Sequence, residues 1–236
     1  MDYRYVTAAL APVLLVQGLR VRRITPRLPE PPGPRSGSAG QGAALRLLIA
    51  GDSAAAGVGA ATQREGLSGT LVEALQPYFS ISWTVNASTG LRTLGVIRCL
   101  EAMPPEPFDV AVLSSGVNDV TGGTRTRDFV AQQHRLVGLL RQRFGVRLIL
   151  LTGLPPMHVF PALPQPLRWC LGARAVAFTQ LLEAVVASEA DCELVTPHLP
   201  LDVAYMATDG FHPGPLAYAK WGREAGTVIL RRLALA

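Results

Sequence analysis

Cysteine is scarce in this chain, and so is charge. Three cysteines, Cys99, Cys170 and Cys192, stand among 236 residues. They are far apart, odd in number and form no C-x-x-C pair, which excludes a disulfide framework and a zinc site of the usual spacing. Isolated cysteines in apolar surroundings read as small buried hydrophobes. No cluster of His, Asp or Glu has metal-ligand spacing, so neither a metal nor a cofactor is expected. Charged residues make up 17% of the chain against 49% hydrophobic ones, a globular balance. The N-terminal apolar run is short. Val6 to Val16 is interrupted by Thr7 and Pro12 and falls short of the roughly 20 residues of a spanning helix. The start "MDYRY" has balanced charge where a signal normally has a basic start, and no convincing A-x-A cleavage site follows, so a secretory signal is not expected. No internal repeat is visible.

What charge there is has a lopsided distribution. The net charge is +5. Six arginines (Arg4, Arg20, Arg22, Arg23, Arg27, Arg35) lie in residues 1–44 against Asp2 and Glu30, whereas from Leu45 onward 16 basic residues face 15 acidic ones. The basic excess is therefore an N-terminal feature rather than a groove-lining stripe. No aromatic residues interleave with basic ones as a stacking platform needs, so nucleic acid is not an expected partner. The Val6–Val16 run and the arginines after it leave two readings open. One is a short helix packed on the domain. The other is a peripheral membrane contact with arginines at the headgroups. The expected location is the cytoplasm, with association to a membrane through this segment as the second reading. "TPRLPEPPGPRSGSAGQG" (25–42) reads as a linker or extended wrap. The chain thus divides into an N-terminal segment, 1–44, and one domain, 45–236. It carries no signal of oligomeric state.

Strand-like and helix-like stretches alternate after the linker. Leu45–Ala50 is apolar apart from Arg46, close to what a strand covered on both faces requires. Gly66–Gln76 carries Leu67, Leu71 and Leu75 at helical spacing. Strands are expected at Ile81–Asn86, Asp109–Leu113, Val146–Leu151 and Glu193–Val195. Further helices are expected at Thr93–Ala102, Thr126–Phe144, Leu171–Ala190 and Pro215–Leu233. Repeated β-α units of this kind imply an α/β fold with a parallel five-stranded sheet and helices on both faces. Sites in such sheets lie at the carboxyl ends of the strands.

Chemistry is therefore sought at those ends. "LLIAGDSAAAGVGA" (47–60) breaks from an apolar strand into Gly51-Asp52-Ser53 and then small residues. A serine hydroxyl needs a base to take its proton and a partner to fix the base. "DGFH" supplies Asp209 and His212. Pro213 biases His212 toward an extended conformation, and Gly210 permits a bend. Asp209 can then reach His212 Nδ1 while Nε2 faces Ser53. The plainer reading is a turn whose aspartate caps the next helix. An oxyanion would need converging donors. The Ser53 N–H, the Gly90 N–H and the Asn118 side-chain amide are the candidates. "SSGVNDV" also reads as an ordinary strand-exit turn.

"AGDSAAAGVGA", "NASTG", "GVND" and "DGFH" follow one another in that order. They resemble the four sequence blocks of the SGNH hydrolases, also called the GDSL lipase/esterase family. The resemblance spans roughly Leu45 to Gly222. It implies a flavodoxin-like three-layer α/β/α sandwich. It also implies Ser53 as nucleophile, His212 and Asp209 as base and orienter, and Gly90 and Asn118 as oxyanion donors. Two departures stand out. Ala54 replaces the leucine of GDSL, and "NASTG" aligns through Ser88, Thr89 or Gly90, of which Gly90 is the only glycine. The function implied is a serine carboxylic-ester hydrolase on short- to medium-chain acyl esters, small-molecule substrates handled through an acyl-enzyme. The alternatives are a transferase, thioesterase or lysophospholipase on the same site, or a noncatalytic flavodoxin-like binding module.

Other readings of these residues are weaker. "GDSAAAGVGA" lacks the Gly-Lys-Ser/Thr of a P-loop, and Thr62 replaces the third glycine of a dinucleotide fingerprint. Ala55 stands where G-x-S-x-G needs a glycine. Among other histidines, His134 reads as a helix-surface residue and His198 as loop. His158 lies in "GLPPMHVFPALPQPLRW", which could wall an acyl pocket through Met157, Phe160 and Trp169 or simply pack as a loop. Asp119 reads as a turn brace.

Overall fold

The computed structural model describes residues 3–198 and 202–234. Residues 1–2, 199–201 and 235–236, which fall within the expected segments 1–44 and 45–236, lie outside the described residues. Helices α1 (Tyr3–Ala9) and α2 (Ala11–Ile24) come first. Pro12 sits in the first turn of α2, where a missing N–H leaves no bond unmade. Then follow β1 (Ser36–Ala39), β2 (Ala43–Gly51), α3 (Leu67–Leu75), β3 (Phe79–Ala87), α4 (Thr93–Ala102) and β4 (Val110–Ser114). The chain continues through α5 (Val117–Thr121), α6 (Thr126–Phe144), β5 (Leu148–Thr152), α7 (Leu167–Ala187), β6 (Cys192–Val195) and α8 (Pro215–Ala234).

The sheet runs β1-β3-β2-β4-β5-β6. Strands β2 to β6 all run parallel to one another. Six strands form the sheet where five were expected, because β1 adds an antiparallel edge on β3, Ser36 facing Thr84 and Ala39 facing Ile81. The extra strand comes from the stretch that reads as linker. "SGSA" has no hydrophobic alternation to signal it. Its glycine has a packing reason, since a Cβ on Gly37 would stand 2.6 Å from the Trp83 ring.

Alternation along the central strands splits the core into two layers. Leu45, Leu47 and Ile49 of β2, with Val110 and Val112 of β4, meet α3 and α8 through Leu67, Leu71, Tyr218 and Ile229. Leu48, Ala50, Ala111 and Leu113 point the other way, against α4, α6 and α7 through Ile97, Phe129, Leu136 and Phe178. The result is a three-layer α/β/α sandwich. Arg46, the one charge in the β2 run, is half-exposed and pairs with Asp109 at 2.9 Å. After β2 the chain moves to β3 on one side and then to β4 on the other. The carboxyl ends of β2 and β4 therefore flank the topological switch point, where a doubly wound sheet leaves a crevice.

Candidate active site

Ser53 sits two residues past the end of β2, in a tight series of turns. The Asp52 carboxylate accepts the Ala54 N–H at 3.1 Å, the Asp52 carbonyl accepts the Ala56 N–H at 3.0 Å, and the Ser53 carbonyl accepts the Val58 N–H at 2.9 Å. Gly51 is required by close approach. A Cβ there would overlap the Ser114 carbonyl oxygen at the end of β4, the same oxygen that accepts the Asp52 N–H at 2.9 Å. The turn is also pinned from behind, by the Tyr218 hydroxyl of α8 donating to the Val58 carbonyl at 2.7 Å.

His212 and Asp209 arrive on the loop before α8. The loop closes on itself through Gly210 N–H to the Ala207 carbonyl at 2.9 Å and Ala207 N–H to the His212 carbonyl at 2.8 Å. Asp209 Oδ1 accepts the backbone N–H groups of Phe211 and His212, each at 3.0 Å. Its Oδ2 lies 2.5 Å from His212 Nδ1. On the other side of the ring, His212 Nε2 lies 3.0 Å from Ser53 Oγ. Burial works to raise the Asp209 pKa, but the hydrogen bonds from the His212 ring and from the two backbone N–H groups outweigh it, so the carboxyl is held below its ordinary value. A negative carboxylate against Nδ1 favours the tautomer that leaves an Nε2 lone pair toward the serine. Phe211 braces the arrangement, with its ring 5.3 Å from Phe160 and 5.4 Å from the imidazole.

Gly90 and Asn118 share a different contact. Asn118 Nδ2 donates to the Leu91 carbonyl at 2.9 Å, one residue beyond Gly90. Gly90 adopts φ +82°, and no atom stands near a hypothetical Cβ. The loop hangs on the end of β2, because the Gly51 carbonyl accepts the Ser88 N–H at 3.2 Å. Among the described residues, neither the Ser53 nor the Gly90 N–H donates to a backbone acceptor. Asp119 braces the region, accepting from Thr93 N–H at 2.9 Å, Thr93 Oγ1 at 2.9 Å and Thr124 Oγ1 at 3.0 Å.

Sequence reasoning missed Glu30. Its Oε1 accepts the Thr89 N–H at 2.7 Å and the Thr89 hydroxyl at 2.9 Å. Its Oε2 takes Arg35 at 2.7 Å, and Arg35 also donates to the Ala87 carbonyl. Two residues of the supposed linker therefore clamp the Gly90 loop. A glutamate in a proline-rich stretch carries no periodic signal, so only tertiary structure reveals the pairing.

A cavity of about 160 Å³ opens from Ser53 and His212 along the carboxyl ends of β4, β5 and β6. Its walls are mainly apolar, with Leu154, Val159, Phe160, Met206 and Phe211 among them. Of the three residues considered as a wall, Phe160 lines the cavity. Met157 is packed into the core, and Trp169 is exposed outside the cavity lining. Gly90 and Asn118 also lie outside that lining. Asp52 faces the cavity from a buried position. Burial pushes its carboxyl up to about 6, opposed by hydrogen bonds from the Ala54 N–H and the Ser114 hydroxyl. The other histidines are elsewhere: His134 pairs with Glu189 at 3.4 Å, the His198 N–H donates to Glu224, and His158 is exposed outside the cavity lining. Among the described residues no group of three or more His, Cys, Asp or Glu could hold a metal ion.

The fold and these contacts define an α/β sandwich with a serine–histidine–aspartate constellation at the carboxyl ends of its strands. The chain belongs to the GDSL-like Lipase/Acylhydrolase family, whose sequence profile matches residues 49–220. A GDSL-like esterase of Mycobacterium tuberculosis is 29% identical over 186 residues, covering 74% of this chain. The chain spans 58% of that relative's length. Solved structures that share the fold include the following two. One is a putative arylesterase from Agrobacterium tumefaciens, with TM-score 0.62, 18% identity, 79% of this chain and 99% of that one. The other is a carbohydrate esterase family 2 enzyme with a carbohydrate-binding domain from Corynascus thermopiles. Its TM-score is 0.64 at 17% identity, over 88% of this chain and 69% of that one.

Proposed function

We propose that the chain is a serine carboxylic-ester hydrolase acting on short- to medium-chain acyl esters. The observation that carries this reading is one imidazole with Asp209 Oδ2 at 2.5 Å from Nδ1 and Ser53 Oγ at 3.0 Å from Nε2. Ser53 Oγ attacks the ester carbonyl carbon as Nε2 takes its proton. The C–O bond to the alcohol breaks, and the imidazolium returns the proton to the departing oxygen. Water then attacks the acyl-enzyme, gives its proton to Nε2 and releases the acid, with Ser53 Oγ taking the proton back. Asp209 stabilises the imidazolium without itself taking the proton.

The tetrahedral oxyanion is assigned to three donors: the Ser53 N–H, the Gly90 N–H and the second Asn118 Nδ2–H. Support comes from the two amides that have no backbone acceptor. It comes also from the Leu91 carbonyl, which fixes the Asn118 amide and occupies only one of its two hydrogens. The apolar cavity beside the serine suits an acyl chain, and the small side chain of Ala54, which lines it, leaves room for the ester, whereas Ala55 and Ala56 are packed into the core. Family membership and the esterase name of the Mycobacterium tuberculosis relative point to the same bond. Ser53→Ala tests the assignment on p-nitrophenyl acetate and butyrate. A fall of roughly 10⁶ in kcat is expected, and undiminished turnover overturns it. A series of longer acyl chains then reads the capacity of the cavity as a fall in kcat/KM.

A further inference from the structure

Helix α2 turns one stripe inward and leaves another bare. Leu10, Leu14, Gln17 and Val21, spaced by 4, 3 and 4, face the domain. Leu14 is buried in the core, and Leu10 and Val21 pack against it. Gln17 bolts the helix to the start of α7, with Nε2 donating to the Gln165 carbonyl at 2.7 Å and Oε1 accepting the Leu167 N–H at 3.1 Å. On the far side, Leu15 and Val16 are each 65% exposed and Leu19 is 59% exposed. Tyr5 of α1 is 76% exposed and Ile24, at the end of α2, is 63% exposed. Arg20, Arg22 and Arg23 follow in the last turns of the same bare face, and all three are exposed. A lone exposed leucine needs no explanation, but a contiguous set of large apolar residues does.

We propose that this outer face of α1 and α2 docks on an anionic lipid bilayer surface. The argument rests on charge and its placement. Residues 3–29 contain five arginines and no Asp or Glu. The apolar residues occupy the first turns of the outer stripe and the arginines its last turns. A helix lying in the interface buries the first set among acyl chains and presents the second to acidic headgroups. Arginine stems also lie along apolar surface while their heads stay wet. A second copy of this chain fits less well, because two-fold pairing of the same patch sets the arginine cluster against its own image. The anchor is joined to the catalytic side of the molecule. Gln165 and Leu167, which hold Gln17, end the segment whose earlier part, Leu154 to Pro161, walls the cavity.

The experiment is co-sedimentation of the full chain with vesicles of phosphatidylcholine, alone or with added phosphatidylglycerol. The chain is expected to pellet with the anionic vesicles and to release as salt rises, while neutral vesicles retain little. Arg20→Gln/Arg22→Gln/Arg23→Gln should weaken the anionic partition by about a hundredfold. Leu15→Glu/Leu19→Glu should abolish it, with circular dichroism and the unfolding midpoint near the unsubstituted chain. The salt titration reads the same claim with no substitution at all. No pelleting with either vesicle, or partition indifferent to both headgroup charge and salt, overturns the proposal. Concentration-dependent dimerisation that Leu15→Glu/Leu19→Glu removes would assign the face to a second copy and overturn it as well.

Discussion

Consider Asp209→Asn. The carboxylate accepts with both oxygens, whereas an amide accepts with only one. In the native site Oδ1 takes two backbone N–H groups at 3.0 Å, and Oδ2 faces His212 Nδ1 at 2.5 Å. The two backbone donors hold the amide oxygen of an asparagine at the Oδ1 position. Its NH2 is then forced toward Nδ1. Two donors cannot share that contact, so the imidazole moves its proton to Nε2 and offers Nδ1 as the acceptor. Nε2 is the nitrogen 3.0 Å from Ser53 Oγ, and once protonated it cannot accept the serine proton. The expected loss is about 10⁴ in kcat, or ~5 kcal/mol of transition-state stabilisation at 1.36 kcal/mol per decade. KM should change little, because Asp209 does not line the cavity. The assay is steady-state hydrolysis of p-nitrophenyl butyrate, with circular dichroism to confirm the fold. A folded variant within tenfold of the unsubstituted kcat would refute the tautomer argument.

Three further outcomes follow from buried and clamping carboxylates. Asp52 holds its proton up to about pH 6 in the folded chain, against about 3.9 unfolded. The folded state therefore binds more protons between those values, and stability falls as pH rises through the window. Asp52→Asn keeps an Oδ1 acceptor for the Ala54 N–H and the Ser114 hydroxyl and cannot ionise. Urea unfolding should show it gaining on the unsubstituted chain from about pH 4 to about pH 6 and holding that gain above; a pH-independent difference contradicts the burial argument. Asp109 behaves oppositely. Hydrogen bonding from the Arg46 guanidinium, against burial and with help from the Arg46 N–H and from Arg147, lowers it to about 2. Asp109→Asn should cost roughly 1 kcal/mol near neutrality, since both arginine ends stand in solvent. The penalty should fade as pH falls from about 4 toward 2, and a penalty unchanged at low pH contradicts the pairing. Glu30→Ala frees the Thr89 N–H and hydroxyl and loosens the Gly90 loop. Its kcat should fall between about tenfold and a hundredfold, with Glu30→Gln recovering part of it; a kcat equal to the unsubstituted one contradicts the clamp.

Much of the sandwich was legible because its strands are covered on both faces. The apolar runs around Leu47, Val112 and Leu150 read as strands covered on both faces, and the leucines of α3 and α6 repeat at helical spacing. Thr93–Ala102 and Thr126–Phe144 begin and end where the pattern of apolar residues, prolines and Gly145 puts them. Elements without a pattern were not legible. β1 is four small residues whose strand identity comes from pairing with β3. α5 is a single turn set by the Gly116 bend and by Asp119. Around the serine, the candidate residues were readable where a residue type is scarce: "DGFH" offers an Asp–His pair close in sequence, and in the structure His212 Nε2 lies 3.0 Å from Ser53 Oγ while Asp209 bonds His212 rather than the serine. The supporting contacts were hidden because they link distant segments. Glu30 lies 59 residues from Thr89, and Tyr218 lies 160 residues from the Val58 carbonyl it holds. No local pattern announces either. The cavity wall was readable as a stretch but not residue by residue, since only packing decides that Phe160 turns toward the opening while Met157 turns into the core.

The most direct measurement is covalent labelling with a fluorophosphonate, followed by peptide mass spectrometry and activity loss on the same samples. The account predicts one adduct, on Ser53, growing in step with the loss of p-nitrophenyl ester turnover and absent from His212→Ala. An adduct on another residue, or full turnover with Ser53 completely labelled, would contradict it.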